Sequence, residues 1–203
     1  LGWFLQEIIS LITFSYFFLM GNIESKALAW IFFILWFVHY FNRSVIFPLR
    51  KKKDSTCPII IVAFAITFNL INGFINGYYF GTIQQYDFHY MNNINFIVGL
   101  ILFMCGAGIN LLSDNILLKL KKEGDSYKIP CGFLYKHISC PNYFGEIVEW
   151  TGFAIMTWSV PGLIFALWTF FNLVPRAISH HKWYKSNFNN YPKNRKAIIP
   201  FIL

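Results

Sequence analysis

The sequence predicts an all-α fold, a bundle of membrane-spanning helices, and three observations predict it. Apolar residues gather in runs long enough to cross a bilayer, charged residues are few, and those charges sit between the runs. Of 203 residues, 56% are hydrophobic, 21% aromatic and 13% charged. An ordinary soluble domain carries about 25% charged residues. Lipid is the solvent that accepts so much apolar surface, at roughly 20 apolar residues per spanning helix.

Six apolar segments carry the bundle: 3–20, 27–48, 58–80, 94–112, 144–159 and 161–178. The first four are long enough to span. The last two form one run interrupted by Ser159, Pro161 and Gly162, which reads either as one kinked helix or as a tight hairpin. Charge decides between them. Arg50, Lys51, Lys52 and Lys53 lie in one polar loop. Lys119, Lys121, Lys122, Lys128 and Lys136 lie in another, and Lys182, Lys185, Lys193, Arg195 and Lys196 lie in the C-terminal tail. Only a hairpin places all three basic regions in the cytoplasm, as the positive-inside rule requires. The sequence therefore predicts six transmembrane helices, with residue 1 and the tail on the cytoplasmic side. The net charge of +8 follows from topology, and no nucleic acid is expected as a partner. Residues 113–143 are expected to form the longest polar loop, a length that marks functional segments. With no repeat and no low-complexity linker, one membrane domain, 1–203, is expected. The start at Leu1 suggests a chain lacking an upstream segment.

Polar residues inside or beside the apolar runs are the candidates for chemistry, because ionisable groups at membrane depth are costly. They are Gln6, Glu7, His39, Tyr40, Arg43, Asn69, Asn72, Asn110, Ser113, Asp114, Asn142, Glu146 and Glu149. Asn69, Asn72 and Asn76 also read as interhelical hydrogen-bond glue, and Arg43 as a snorkelling helix-end cation. Gly106-Ala107-Gly108 lacks the third glycine of a dinucleotide fingerprint and follows an apolar helix instead of a strand. Those glycines are expected to permit close helix packing. His180 and His181 are adjacent, so on a helix they face different sides, and no metal is expected. Cys57, Cys105, Cys131 and Cys140 form no CxxC pair and read as reduced structural thiols.

Six ordered motifs give the chain a specific likeness. They are Trp3-Phe-Leu-Gln6-Glu7, His39-Tyr40-Phe-Asn-Arg43, Gly108-Ile-Asn110-Leu-Leu-Ser-Asp114-Asn-Ile-Leu, Tyr127-Lys-Ile-Pro130, Asn142-Tyr-Phe-Gly-Glu146-Ile-Val-Glu149-Trp150, and the tail from His180 through Tyr184, Phe188, Tyr191 and Arg195 to Pro200-Phe201. In order and spacing this resembles the steroid 5α-reductase family across nearly the whole chain. The family has seven transmembrane helices, so the resemblance implies that the first is missing here.

The resemblance implies a reductase of conjugated enones that reduces the C4–C5 double bond of 3-oxo-Δ4-steroids with NADPH. It assigns Gln6, Glu7 and Tyr40 to the substrate end as catalytic residues. Hydride addition to an enone puts negative charge on the carbonyl oxygen, and a tyrosine hydroxyl or a protonated carboxyl stabilises it. It assigns Asn110, Asp114, Lys121, Lys128, Asn142, Glu146, His180, Tyr184 and Arg195 to NADPH, within a cofactor-binding part at about 106–203. Lys52 or Lys53 would complement the adenosine phosphate end. Arg43, Arg176 and Glu149 also match family positions. Leu118 and Lys121 stand where the family has arginine, as does Lys128, and a lysine lacks arginine's bidentate fork. These departures bear on NADPH affinity and on preference over NADH. Further implications are a monomer in the lipid bilayer, a steroid or other lipid enone as substrate, and, in a eukaryote, the endoplasmic reticulum membrane with a cytosolic C-terminus. The rival readings are a trans-2-enoyl-CoA or polyprenol reductase on the same fold, an isoprenylcysteine methyltransferase-like enzyme, and a non-catalytic membrane scaffold.

Overall fold

The computed structural model describes residues 2–22, 27–51, 58–122 and 127–203, with the backbone alone at 121 and 122. The described residues are mostly helical and contain no strand, only an isolated parallel bridge between Ile138 and Lys196. Helix is what lipid demands, since every backbone N–H and C=O is bonded within the segment. The chain divides into two compact units, Leu1–Asn93 and Ile94–Leu203.

The first unit holds α1 (Gly2–Leu19), α2 (Ala27–Phe41) and α4 (Ile59–Tyr78). α2 runs on through a π-helix at Asn42–Ile46 into the short α3 (Phe47–Arg50). Pro48 lies in the first turn of α3. α4 also ends in a π-helix, Tyr79–Ile83. α1 and α4 pack at backbone contact. Gly73, Gly77 and Gly81 face α1 at four-residue spacing, and a β-carbon at Gly77 would lie 2.5 Å from the Phe14 carbonyl oxygen. Asn69 Nδ2 donates to the Gln6 carbonyl on α1 at 2.7 Å, the interhelical bond expected of it. Asn76 turns instead to Asn72 of its own helix. α2 meets α1 through rings: Phe14 stacks on Trp36 at 4.5 Å, and Phe18 lies 4.8 Å from Phe33.

The second unit holds α5 (Ile94–Lys122), α6 (Pro141–Thr157) and α7 (Val160–Asn187). The expected hairpin forms. Trp158 takes the left-handed conformation, with φ of 43°, and ends α6. Ser159 Oγ then accepts the Gly162 N–H at 3.2 Å and caps α7. The expected loop 113–143 needs correction, because α5 carries the chain to Lys122 before any loop begins. Helical hydrogen bonding does not require apolar side chains, and the leucines and lysines of 116–122 are good helix formers. Ser113 and Asp114 are buried in that helix, and Leu118 is buried too.

Among the described residues, five rods are long and apolar enough to cross a membrane: Gly2–Leu19, Ala27–Arg50, Ile59–Ile83, Ile94–Leu120 and Val160–Asn187. α6 has 17 residues and is the short member among the predicted spans. The surfaces these rods expose carry Ile59, Phe64, Ile101 and Phe171. Such faces suit hydrocarbon, and the chain is an integral membrane protein.

Candidate active site

In the first unit, the polar side chains predicted from the sequence gather where α1 starts and α2 ends. The Trp3 indole N–H donates to the Arg43 carbonyl at 3.1 Å. The Arg43 guanidinium lies 5.0 Å from the Trp3 ring and 5.2 Å from the Phe47 ring. Arg43 is thus buried between aromatics, where cation–π attraction holds it. It does not snorkel. Trp3 is level with Arg43, and Phe14 further along α1 is level with Trp36. The antiparallel register between these contacts brings Glu7 level with Tyr40. Tyr40 is buried and stacked on Trp36 at 5.2 Å, Gln6 is buried, and Glu7 is half-buried. Ser44, inside the π-helix, donates to the Tyr40 carbonyl at 2.6 Å. π-Helices are rare and favour functional sites, and this one begins two residues after Tyr40. Its hydrogen-bond slip has no signature in composition, so the sequence did not reveal it.

In the second unit, α5 and α6 approach so closely that a β-carbon at Gly106 would meet the backbone of Glu149 and Gly145. Gly106 therefore serves the expected packing role. Gly108 does not, since nothing lies within 4 Å of its side-chain position. This contact brings together four of the predicted residues. Asn110 Nδ2 donates to the Asn142 carbonyl at 3.0 Å and to Glu146 Oε2 at 3.4 Å, and Asn142 Nδ2 donates to Asp114 Oδ1 at 3.1 Å. The result is a patch of two amides and two carboxylates. Nearby, burial pushes the Tyr135 phenol well above its usual range, with Asp114 adding to the effect. Tyr135 donates to the Ser113 carbonyl at 3.3 Å. Burial also pushes the Cys140 thiol up to about 12, which keeps it protonated and inert.

The remaining predicted residues lie at the end of α7 and in the tail. His180 is exposed, with Nε2 3.5 Å from the Tyr143 hydroxyl of α6. Tyr184 stacks on Tyr191 at 5.4 Å and 12°. On the Tyr191 ring rests the Arg195 guanidinium, at 4.9 Å. Arg195 is 3% exposed, and its Nε and Nη1 have no hydrogen-bond partner among the described residues. Lys128 is exposed, and Tyr127 beside it packs on Trp183 at 5.0 Å. Lys52 and Lys53 lie outside the described residues, and so does the side chain of Lys121. Among the described residues no group of three or more His, Cys, Asp or Glu is placed to hold a metal. His180 and His181 do have separate partners, Tyr143 and Ser139. Ser139, His181 and Tyr191 were missed as site residues. The only signal was Tyr191 standing four positions before Arg195 in a tail already singled out.

Comparison with known proteins agrees with this architecture. Residues 55–203 match the family described as 3-oxo-5-alpha-steroid 4-dehydrogenase. The chain is 42% identical to steroid 5-alpha-reductase DET2 of Solanum lycopersicum, covering 91% of this chain and 74% of the relative. It is 40% identical to the protein of the same name from Arabidopsis thaliana, over 100% of this chain and 80% of the relative. It is 37% identical to 3-oxo-5-alpha-steroid 4-dehydrogenase 1 of Rattus norvegicus, over 100% of this chain and 79% of the relative. Plant and mammalian relatives thus match nearly the whole chain, and the chain belongs to the 3-oxo-5-alpha-steroid 4-dehydrogenase family of oxidoreductases.

Proposed function

We propose that this protein reduces the C4–C5 double bond of 3-oxo-Δ4-steroids to give 5α-3-oxosteroids, with NADPH as the reductant. The relatives' names supply the steroid and the reaction. The chain's own residues suit the cofactor. The buried Arg195 guanidinium has two nitrogens without partners, and a buried cation requires a counter-charge. A phosphate meets that requirement with charge-assisted hydrogen bonds. Asn110, Asp114, Asn142 and Glu146 offer amide and carboxylate partners for a carboxamide and ribose hydroxyls, and His180, Tyr184 and Lys128 complete the set. Lys121 belongs to it by sequence alone. When bound, the reduced nicotinamide supplies a hydride to C5 of the steroid.

Tyr40 and Glu7 act at the other end of the enone. As the bond to C5 forms, the π electrons of C4–C5 move toward C3 and charge builds on the C3 oxygen. The Tyr40 hydroxyl and the protonated Glu7 carboxyl donate to that oxygen and stabilise the enolate-like transition state. Gln6 holds Glu7 or the substrate. C4 then takes a proton from solvent, which completes the addition of one hydride and one proton. The apolar steroid enters laterally from the bilayer. Residues 1–203 belong to one catalytic domain, and the protein works as a monomer. In a eukaryote it resides in the endoplasmic reticulum membrane with its tail in the cytosol.

One observation supports the reading: in a chain of this family, the Trp3–Arg43 and Phe14–Trp36 contacts set an antiparallel register between α1 and α2, the helices that carry Glu7 and Tyr40. The test is to supply membranes containing the protein with NADPH and testosterone or progesterone, and to identify products by mass spectrometry. The 5α-reduced steroid is expected. Turnover of an enoyl-CoA or a polyprenal, with the steroids untouched, would move the protein to another branch of the fold.

A further inference from the structure

Ser139 lies in the extended link before α6 and is 4% exposed. Its Oγ is 2.6 Å from His181 Nδ1 on α7, 2.6 Å from the Tyr191 hydroxyl and 3.0 Å from the Lys196 carbonyl. A serine hydroxyl has one proton to give and two lone pairs to fill. The carbonyl only accepts, so Ser139 donates to Lys196. With that proton given to the carbonyl, the Tyr191 hydroxyl and the His181 ring nitrogen fill the remaining bonding sites of the hydroxyl.

Three segments distant in sequence therefore meet at one buried oxygen. Backbone bonds run alongside: Ser139 N to Lys196 O at 2.8 Å, Lys196 N to His137 O at 2.8 Å, and Cys140 N to Ala197 O at 3.1 Å. Two of the Ser139 partners flank Arg195. Tyr191 provides the ring on which the guanidinium rests, and Lys196 is the next residue in the chain. A long side chain such as arginine loses much rotamer freedom when fixed. Here the ring beneath it and the backbone beside it are both tied to the same serine.

We propose that Ser139 is a positioning residue, which holds the Tyr191 ring and the Lys196 backbone so that the buried Arg195 guanidinium is pre-set for a phosphate group of the cofactor. This rests on the reading that Arg195 binds NADPH. Ser139 touches no ligand and acts only through its neighbours.

The test is NADPH titration of the purified protein in detergent, followed by nicotinamide fluorescence, with thermal unfolding recorded for each variant. Arg195→Ala should weaken binding roughly 10- to 100-fold, as expected for charged hydrogen bonds. Ser139→Ala should weaken it about 10-fold, the scale of one buried hydrogen bond. Ser139→Thr keeps the hydroxyl and should restore most of the affinity. In the Arg195→Ala background, Ser139→Ala should cost nothing further, because the group it positions is gone. If Ser139→Ala does not fold, Tyr191→Phe keeps the ring and removes only its bond to Ser139, and a several-fold loss is expected. Losses that simply add in the double variant would reduce Ser139 to a structural residue and overturn the proposal. So would wild-type affinity in Ser139→Ala, while a weakened Arg195→Ala left the cofactor reading standing. Normal binding by Arg195→Ala would instead refute the cofactor reading of that residue.

Discussion

Tyr40 carries one hydroxyl, and the proposed chemistry gives that oxygen a single task at the steroid carbonyl. Tyr40→Phe keeps the ring stacked on Trp36 and removes only the donor. Loss of a donor to a developing oxyanion typically costs about 100- to 1000-fold in rate. Turnover should fall on that scale while NADPH affinity holds, and Glu7→Gln, which keeps shape but replaces the carboxyl O–H by a weaker amide N–H donor, should also slow the enzyme. Initial rates and NADPH titrations on both variants decide the matter, and full turnover in the pair would remove them from the chemistry. Glu7 stood out in the sequence as a carboxyl at membrane depth, whereas the roles of Glu7 and Tyr40 came from the motifs they share with the family. Ser139 did not stand out. Its partners stand 42, 52 and 57 positions away, and a serine in a polar loop looks like any other. The buried guanidinium of Arg195 was legible as a motif residue, but its unpartnered nitrogens belong to packing that no linear pattern encodes.

The helices themselves were legible wherever lipid dictates composition. Each long apolar run became a rod, and the break at Ser159 and Pro161 became a capped hairpin because a serine cap and a first-turn proline both favour a helix start. Boundaries were read poorly where a helix leaves the apolar zone. α5 was expected to stop near Leu112 but continues to Lys122, since polarity marks the membrane edge and not the end of hydrogen bonding. That extension puts Asn110 and Asp114 on a rigid rod facing α6. Gly106 sets the distance between the two. In Gly106→Ala the added methyl meets the Glu149 and Gly145 backbone, so the helices must part. Overpacking of this kind costs about 1–3 kcal/mol. The variant should unfold at lower temperature in detergent and should bind NADPH more weakly, because the bond between Asn110 and Asn142 stretches with the gap. Unchanged melting would show that the seam can open without loss.

For the molecule as a whole, the proposed orientation in the membrane rests on charge. Arg50 and Lys193 belong to basic segments, whereas residues 84–93 carry no lysine or arginine. Cysteines placed at Arg50 and Lys193 should react with an impermeant maleimide only from the cytosolic side, and one at His89 only from the opposite side. Labelling of Lys193→Cys from the far side would break the proposed topology. The long helices could be read from the sequence because hydropathy acts over whole segments. Contact between segments was legible only in part, and the seam between α5 and α6 shows this: close packing was expected at Gly106, but not the partner helix or the other glycines that meet it. Gly99, Gly106, Gly145 and Gly152 each press against the opposite backbone. At the level of the gene, every glycine codon begins with two guanines, and any single-base change that alters the residue installs a β-carbon or a stop. These four codons thus have no mild missense neighbour, and population sequencing of the gene should find them almost free of tolerated variants, whereas the codon for Gly108, with open space around it, should drift.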